Sequence, residues 1–182
     1  MGTEAISMGT EGITLWLTGL SGAGKTTIAV KVAEQLRAAG RPCCILDGDR
    51  LRQDLCKDLG FSDTDRAENM RRTATVAALM ADAGLTVIVA LISPFQDGRE
   101  AARASIGADR FLEIHIDAPL AVVERRDVKG LYQKARNGQL SQVTGIDSPY
   151  EAPLAPALRI QTEHETPEQS VARVMTLLLN NG

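Results

Sequence analysis

Apolar positions in this chain alternate between short continuous runs and stretches with helical spacing, and that alternation predicts a layered α/β domain. Ile13-Thr14-Leu15-Trp16-Leu17-Thr18 reads as a first strand and Cys43-Cys44-Ile45-Leu46 as a second, buried one. Leu85-Thr86-Val87-Ile88-Val89-Ala90-Leu91-Ile92 is apolar and β-branched throughout, as a parallel strand covered on both faces must be. Residues 110–116 and 157–161 supply a fourth and a fifth strand. Helical periods lie between them. Ile28, Ala29, Val32, Ala33 and Leu36 mark the first helix, and Met70, Ala74, Ala77, Ala78 and Ala81 mark a long one over residues 65–83. A short helix follows at 97–105, and Pro119 opens another that carries Leu120, Val123 and Glu124. The last helix has the clearest start: Thr166 can cap, Pro167 suits the first turn, and Gln169 completes a capping box. Its inward face reads as Val171, Val174, Met175, Leu178 and Leu179.

Two stretches break the pattern. Residues 125–150 crowd Arg125, Arg126, Lys129, Lys134 and Arg136 among Gly130, Gly138 and Gly145, with little apolar periodicity, and read as a mobile lid. At the other end, Met1-Gly2-Thr3-Glu4 recurs as Met8-Gly9-Thr10-Glu11, which suggests an alternative start or a cloning remnant. Residues 1–11 are therefore read as a disordered extension, and residues 12–182 as one domain with neither linker nor repeat.

A length of 182 residues suits that single domain. The formal net charge of -3 argues against a general nucleic-acid or membrane-surface binder, so any anion site must be local. Cys43, Cys44 and Cys56 form no C-x-x-C pair and read as reduced core thiols of a cytoplasmic protein. No run approaches the roughly 20 apolar residues of a membrane span. His115 reads as a packing residue of the fourth strand, since no partner is nearby in sequence.

The chemistry starts where the first strand meets the first helix. Gly19-Leu20-Ser21-Gly22-Ala23-Gly24-Lys25-Thr26, followed by Thr27, fits the phosphate-cradling pattern G-x-x-x-x-G-K-[ST] in its proper strand–loop–helix context. The glycines let backbone N–H groups turn toward phosphate oxygens, and the helix N-terminus adds its positive dipole end. Lys25 is placed to reach the β- and γ-phosphates of ATP, and the Thr26 hydroxyl to ligate Mg²⁺. The fold expected is thus a three-layer P-loop NTPase fold: α/β, with a five-stranded parallel sheet and a lid. Asp47 and Asp49 stand at the C-terminal edge of the second strand, where open α/β sheets bind ligands. No N-K-x-D base reader occurs, which argues against a switch GTPase. The third strand runs into Ser93 rather than a Walker-B aspartate, leaving Asp47 and Asp49 as the paired acids. This is the layout of small-molecule and nucleotide kinases, in which a closing lid excludes water.

The P-loop joins a longer motif series. Leu46-Asp47-Gly48-Asp49, Leu59-Gly60-Phe61-Ser62, Asp65-Arg66-x-Glu68-Asn69-x-Arg71-Arg72 and Ile92-Ser93-Pro94 follow it, then Arg126-Asp127-x-Lys129-Gly130-Leu131-Tyr132, Thr144-Gly145-Ile146-Asp147 and Tyr150-Glu151-x-Pro153. In order and content this series resembles the adenylyl-sulfate kinase (APS kinase) family over nearly the whole chain from Gly12. The resemblance implies transfer of the ATP γ-phosphoryl group to the 3′-hydroxyl of adenylyl sulfate. It implies Asp49 as the acid nearest the acceptor hydroxyl and the metal, with Asp47 beside it. Arg52, Arg66 and Asn69 would hold the acceptor's sulfate, phosphate and adenine, with Phe61 stacking on the base. The Ile92 backbone, Lys129-Gly130-Leu131 and Thr144 would complete that pocket. Ser93 matches the position of a phosphorylated serine, although a small residue where a strand end meets substrate explains it as well. Arg125 and the loop around Thr162 would flank the ATP adenine. The resemblance also suggests a homodimer and a functional link to ATP sulfurylase.

Two positions depart from the family pattern: Arg50 replaces the usual Asn after Asp-Gly-Asp, and Val143 replaces a Phe that forms the other side of the adenine sandwich. The alternatives are a P-loop kinase of the same fold acting on another nucleotide-like or small-alcohol acceptor, and a catalytically silent ATP-binding regulatory domain.

Overall fold

A computed structural model of the chain describes residues 12–181, so the repeated tetrapeptide and the extension it suggests lie outside the described residues. Five strands, β1 (Thr14–Thr18), β2 (Cys43–Asp47), β3 (Thr86–Ala90), β4 (Phe111–Asp117) and β5 (Leu158–Gln161), form one sheet in the order β2-β3-β1-β4-β5. Every pairing is parallel. The helices are α1 (Lys25–Ala38), α2 (Gly48–Leu51), α3 (Asp63–Asp82), α4 (Gln96–Ile106), α5 (Leu120–Arg126), α6 (Leu131–Arg136) and α7 (Pro167–Leu179).

Strand side chains alternate between two cores, as a period of two requires. Leu15, Leu17, Ile88, Ile114, Ile116 and Ile160 point to the face covered by α1 and α7, through Ile28, Val32, Leu36, Val171, Val174 and Leu178. Trp16, Val87, Val89 and Phe111 point to the other, against Met70, Ala74, Ala77 and Ala81 of α3 and Ala102 and Ile106 of α4. The small alanines of α3 are what let that helix lie close to the sheet. Helix α7 begins as expected, with Thr166 accepting from the Gln169 N–H and the Gln169 side chain reaching back to the cap.

Several expectations need correction. β2 is an edge strand, so Cys43, Cys44 and Ile45 are half-buried, and of the three free thiols Cys56 alone is fully buried. Leu179 is 66% exposed while Leu178 is fully buried, because one residue further along α7 turns about 100° away from the core face. The short α2, capped by Asp47, has too few residues to leave a periodic signal. Residues 125–150 hold the end of α5 and all of α6, and Tyr132 of α6 is buried in the α1/α7 core.

The topology gathers ligand-binding segments at one edge. The order reverses on either side of β1, and such a switch point leaves a crevice at the strands' C-terminal ends. Asp47 pairs with Ala90, and Ala90 with Leu17, so three loops leave the sheet side by side. They are the glycine-rich loop after β1, the Asp47–Asp49 turn after β2, and Ile92–Pro94 after β3.

Candidate active site

The glycine-rich loop is shaped by close approach. Gly19 has φ +150°, and a Cβ there would stand 2.2 Å from the Ile116 carbonyl oxygen, so no other residue fits. Gly24, at φ +108°, is the N-cap of α1 and has no side chain to occupy the helix's first N–H groups, which leaves them for an anion. Lys25 is buried and folded back on the loop, its Nζ donating to the carbonyls of Gly19 at 2.8 Å and Leu20 at 2.7 Å.

Burial, helped by the neighbouring charge of Lys129 and opposed by Asp47 and Asp49, pushes the Lys25 ammonium down from 10.5 to about 7. Between those two values the unfolded chain holds more protons than the folded one. In ligand-free protein this group therefore adds stability as pH rises from about 7 toward 10.5. A bound polyphosphate favours the charged form and reverses the trend. ATP binding at pH 8 is expected to take up part of a proton, and calorimetry in buffers of different ionisation enthalpy should show it. Heats that do not vary with the buffer's ionisation enthalpy, and so no net uptake, would remove Lys25 from contact with the phosphates.

Beside the loop stand the two acids. The Thr26 hydroxyl donates to Asp47 Oδ2 at 2.7 Å, and Asp47 Oδ1 accepts the Asp49 N–H at 3.0 Å. Asp49 is ion-paired with Lys129, which reaches it from the turn between α5 and α6. Thr26 and the two carboxylates make an oxygen set of the kind that suits Mg²⁺, which binds through one or two carboxylates plus phosphates.

These residues line one side of a cleft of about 290 Å³, and a cationic, aromatic pocket lines the rest of it. Phe61 is 50% exposed, with the Arg52 guanidinium 4.4 Å and the Arg66 guanidinium 5.7 Å from its ring centroid. Arg52 donates to the carbonyls of Leu59 and Gly60. Arg66, which is buried, donates from Nε to the Phe61 carbonyl at 2.9 Å and from Nη2 to the Gln142 carbonyl at 2.5 Å. Among the ion pairs of the described residues neither arginine has a carboxylate partner. Desolvation lowers both guanidinium pKa values, and for Arg66 the charge of Arg52 lowers it further. Asn69 Nδ2 is buried without a hydrogen-bond partner. Two unneutralised guanidiniums, an orphan amide and an exposed ring are suited to an anionic ligand with a flat base.

Of the other residues singled out in the sequence, Ser21, Gly22, Gly24, Thr27, Ile92 and Ser93 line the cleft. Gly19, Leu20 and Ala23 shape the loop without lining it. Ser93 turns its hydroxyl inward, where Oγ accepts from Trp16 Nε1 at 3.0 Å. Gly130, at φ +63°, starts α6, and Leu131 packs against the core; neither lines the cleft. Thr144 is buried, with its hydroxyl unpartnered. Val143 is 3% exposed, packed in the α1/α7 core, and does not line the cleft. Arg125 is exposed and pairs with Glu163 at 3.8 Å. Its neighbour Arg126 instead donates to Thr162 Oγ1 at 3.0 Å and to the Thr162 carbonyl at 2.7 Å. Thr162 in turn donates to the Ala23 carbonyl at 2.9 Å. Arg126, not Arg125, is thus the one tied to the phosphate loop, a role its place in the Arg126-Asp127 motif could have signalled. Tyr132 was missed as well; its hydroxyl donates to the Ser21 carbonyl at 2.8 Å and pins the loop from behind. His115 packs as expected, buried and stacked on Tyr150 at 5.9 Å, with burial lowering its pKa.

A family model described as adenylylsulphate kinase matches residues 11–161. The bifunctional enzyme CysN/CysC of Xylella fastidiosa is 55% identical over 164 residues, 90% of this chain and 26% of that protein, so the chain spans only a minor part of that relative's length. Among solved structures, the Mycobacterium tuberculosis APS kinase CysC in complex with AMPPNP and APS is 46% identical, with a TM-score of 0.90 over 94% of this chain and 99% of that one. The hexameric APS kinase from Thiobacillus denitrificans is 31% identical, with a TM-score of 0.70 over 94% of this chain and 29% of that one. Among the described residues no helix is long and apolar enough to cross a membrane.

Proposed function

The chain belongs to the adenylylsulphate kinase family, and from that premise we propose that it transfers the ATP γ-phosphoryl group to the 3′-hydroxyl of adenylyl sulfate, giving 3′-phosphoadenylyl sulfate and ADP. One observation carries the reading: the phosphate loop and the pocket of Arg52, Phe61, Arg66 and Asn69 open into a single cleft, with Asp47 and Asp49 on its wall. Donor and acceptor can therefore meet beside a carboxylate.

In this reading the α1 N-terminus and Lys25 hold the β- and γ-phosphates and offset the charge that spreads over the transferring group. Thr26 with Asp47 or Asp49 would hold a magnesium ion, which when bound neutralises phosphate charge. Asp49 orients the acceptor hydroxyl and accepts its proton. To do so it must leave Lys129, whose ammonium is then free for the substrate anions. Arg52 and Arg66 grip the sulfate–phosphate, Phe61 stacks on the adenine, and Asn69 donates its unpaired N–H to the base. Thr162 and the arginines at the end of α5 flank the donor base.

Residues 125–150 act as the lid, with Val128 and Lys129 on the cleft. Limited proteolysis should cut between Lys129 and Arg136 in free protein and not when both nucleotides are bound. Equal cleavage in the two states would make the segment a fixed surface. The protein works in the cytoplasm without nucleic acid or membrane. A homodimer and a functional link to ATP sulfurylase complete the proposal, the latter supported by the bifunctional nature of the Xylella relative.

The test is ADP release with ATP alone, with adenylyl sulfate, and with nucleoside monophosphates and small alcohols. Release that depends on adenylyl sulfate supports the reading. Release with another acceptor makes this a different P-loop kinase, and none with any acceptor leaves a silent ATP-binding domain.

A further inference from the structure

The most deeply buried charge among the described residues takes no part in the chemistry above. Arg99 of α4 is 1% exposed and Glu113 of β4 is 5% exposed. Arg99 Nε and Glu113 Oε1 lie 2.7 Å apart, yet neither atom has a properly directed hydrogen bond. We take the contact as an ion pair whose N–H is out of line. The directed bonds of Arg99 go elsewhere. Nη1 donates to the Ser93 carbonyl at 2.7 Å, and Nη2 donates to the Glu151 carbonyl at 2.8 Å and to Gln96 Oε1 at 2.6 Å.

Both carbonyl acceptors belong to segments that need holding. Ser93 has φ +47°, one of two described non-glycine residues in the left-handed region, where a side chain is strained. It sits in the Ile92–Pro94 wall of the acceptor pocket. Glu151 immediately follows the 125–150 segment. It is fastened to the same wall by its own N–H, which donates to the Pro94 carbonyl at 2.8 Å, and by its carboxylate, which accepts the Gln96 N–H at the start of α4.

We propose that Arg99 is a positioning residue that locks the Ile92–Pro94 wall and the downstream anchor of the lid segment into one unit, setting acceptor affinity without touching either substrate. The proposal rests on the reading of the cleft as a two-substrate kinase site. A lysine at 99 keeps the charge beside Glu113 but cannot serve both carbonyls. Removing both charges, in Arg99→Met/Glu113→Gln, avoids an unpaired buried ion and deletes the same two bonds.

The experiment measures KM for each substrate and amide hydrogen exchange without ligand, in Arg99→Lys, in the double variant, and in Glu113→Gln as a destabilised control that keeps the carbonyl bonds. In both Arg99 variants KM for adenylyl sulfate should rise about tenfold or more, with KM for ATP within about twofold of the parent. Exchange at the Gln96 and Glu151 amides should quicken while that at Ile28, in α1, stays slow. Glu113→Gln should lose thermal stability and keep the parental KM values. Unchanged KM for adenylyl sulfate, or an equal rise for both substrates, overturns the proposal, as does unchanged exchange at Gln96 and Glu151. Should the parent itself ignore adenylyl sulfate, the functional reading fails, and the exchange comparison alone still decides whether Arg99 locks the two segments.

Discussion

Lys25→Met is expected to lower kcat by about 10³-fold or more and to leave the fold in place. The ammonium is buried beside the phosphate loop, and burial has already driven its pKa to about 7. An apolar side chain of similar length removes that desolvation penalty and loses two hydrogen bonds, to the carbonyls of Gly19 and Leu20. The two effects oppose one another in stability, so the midpoint of thermal unfolding without ligand should move little. They do not oppose one another in catalysis, where the N–H groups of the α1 N-terminus remain but no other cationic side chain of the loop is left to offset the charge of the transferring phosphoryl. Asp49→Asn provides the contrast. Asparagine cannot take a proton, so kcat should fall by about 10²–10⁴-fold, while ATP affinity changes far less because the carboxylate acts on the acceptor side. Measuring kcat together with the Kd of a non-hydrolysable ATP analogue separates the two variants. Near-parental kcat in Lys25→Met would sink the phosphate-loop assignment, and near-parental kcat in Asp49→Asn would leave the acceptor hydroxyl without its base.

Features carried by local chemistry were legible in the sequence, and features decided by distant contacts were not. The glycine-rich loop could be read because Gly19 and Gly24 adopt backbone angles that other residues disfavour, a constraint visible in one dimension. Helix α7 could be read for a similar reason, since its capping box closes within four residues. The exposure of β2 could not. Cys43-Cys44-Ile45-Leu46 is as apolar as a central strand, and only the order β2-β3-β1-β4-β5 puts it at the edge. Nor could the choice between Arg125 and Arg126, which are adjacent in sequence but about 100° apart around a helix. One meets Glu163 at the surface and the other the Thr162 carbonyl. Arg99 was invisible for a third reason. In a helical pattern it reads as a solvated charge, and the groups that bury it come from β4, from the turn after β3 and from residue 151.

The same logic gives Arg66 an effect on the acceptor comparable with that of Lys25 on the donor. Arg66 is buried, without a carboxylate partner among the described residues, so its charge awaits an anion; Arg52, a second such cation, raises the cost of leaving both unneutralised. It also joins the two loops that bound the pocket, donating to the carbonyls of Phe61 and Gln142. Gln142 is held in the left-handed region at φ +61°, with its own N–H and that of Val143 bound by the Asp147 carboxylate. A truncated side chain therefore loses a charge-assisted contact to the acceptor and the bridge that fixes the ring of Phe61. Removing one partner of a buried charge pair costs about 2–5 kcal/mol, which at 1.4 kcal/mol per tenfold is roughly 30- to 4,000-fold in kcat/KM for adenylyl sulfate. No buried carboxylate is stranded by the change, so Arg66→Ala should fold and bind the ATP analogue nearly as the parent does. Arg66→Lys restores the charge but not the fork, and should recover only part of the loss. Calorimetric titration of adenylyl sulfate in the presence of ADP reads the effect directly. If Arg66→Ala binds adenylyl sulfate within about threefold of the parent, the anionic part of the acceptor does not lie against Arg66. Arg52 would then be the remaining candidate for it on that side of Phe61.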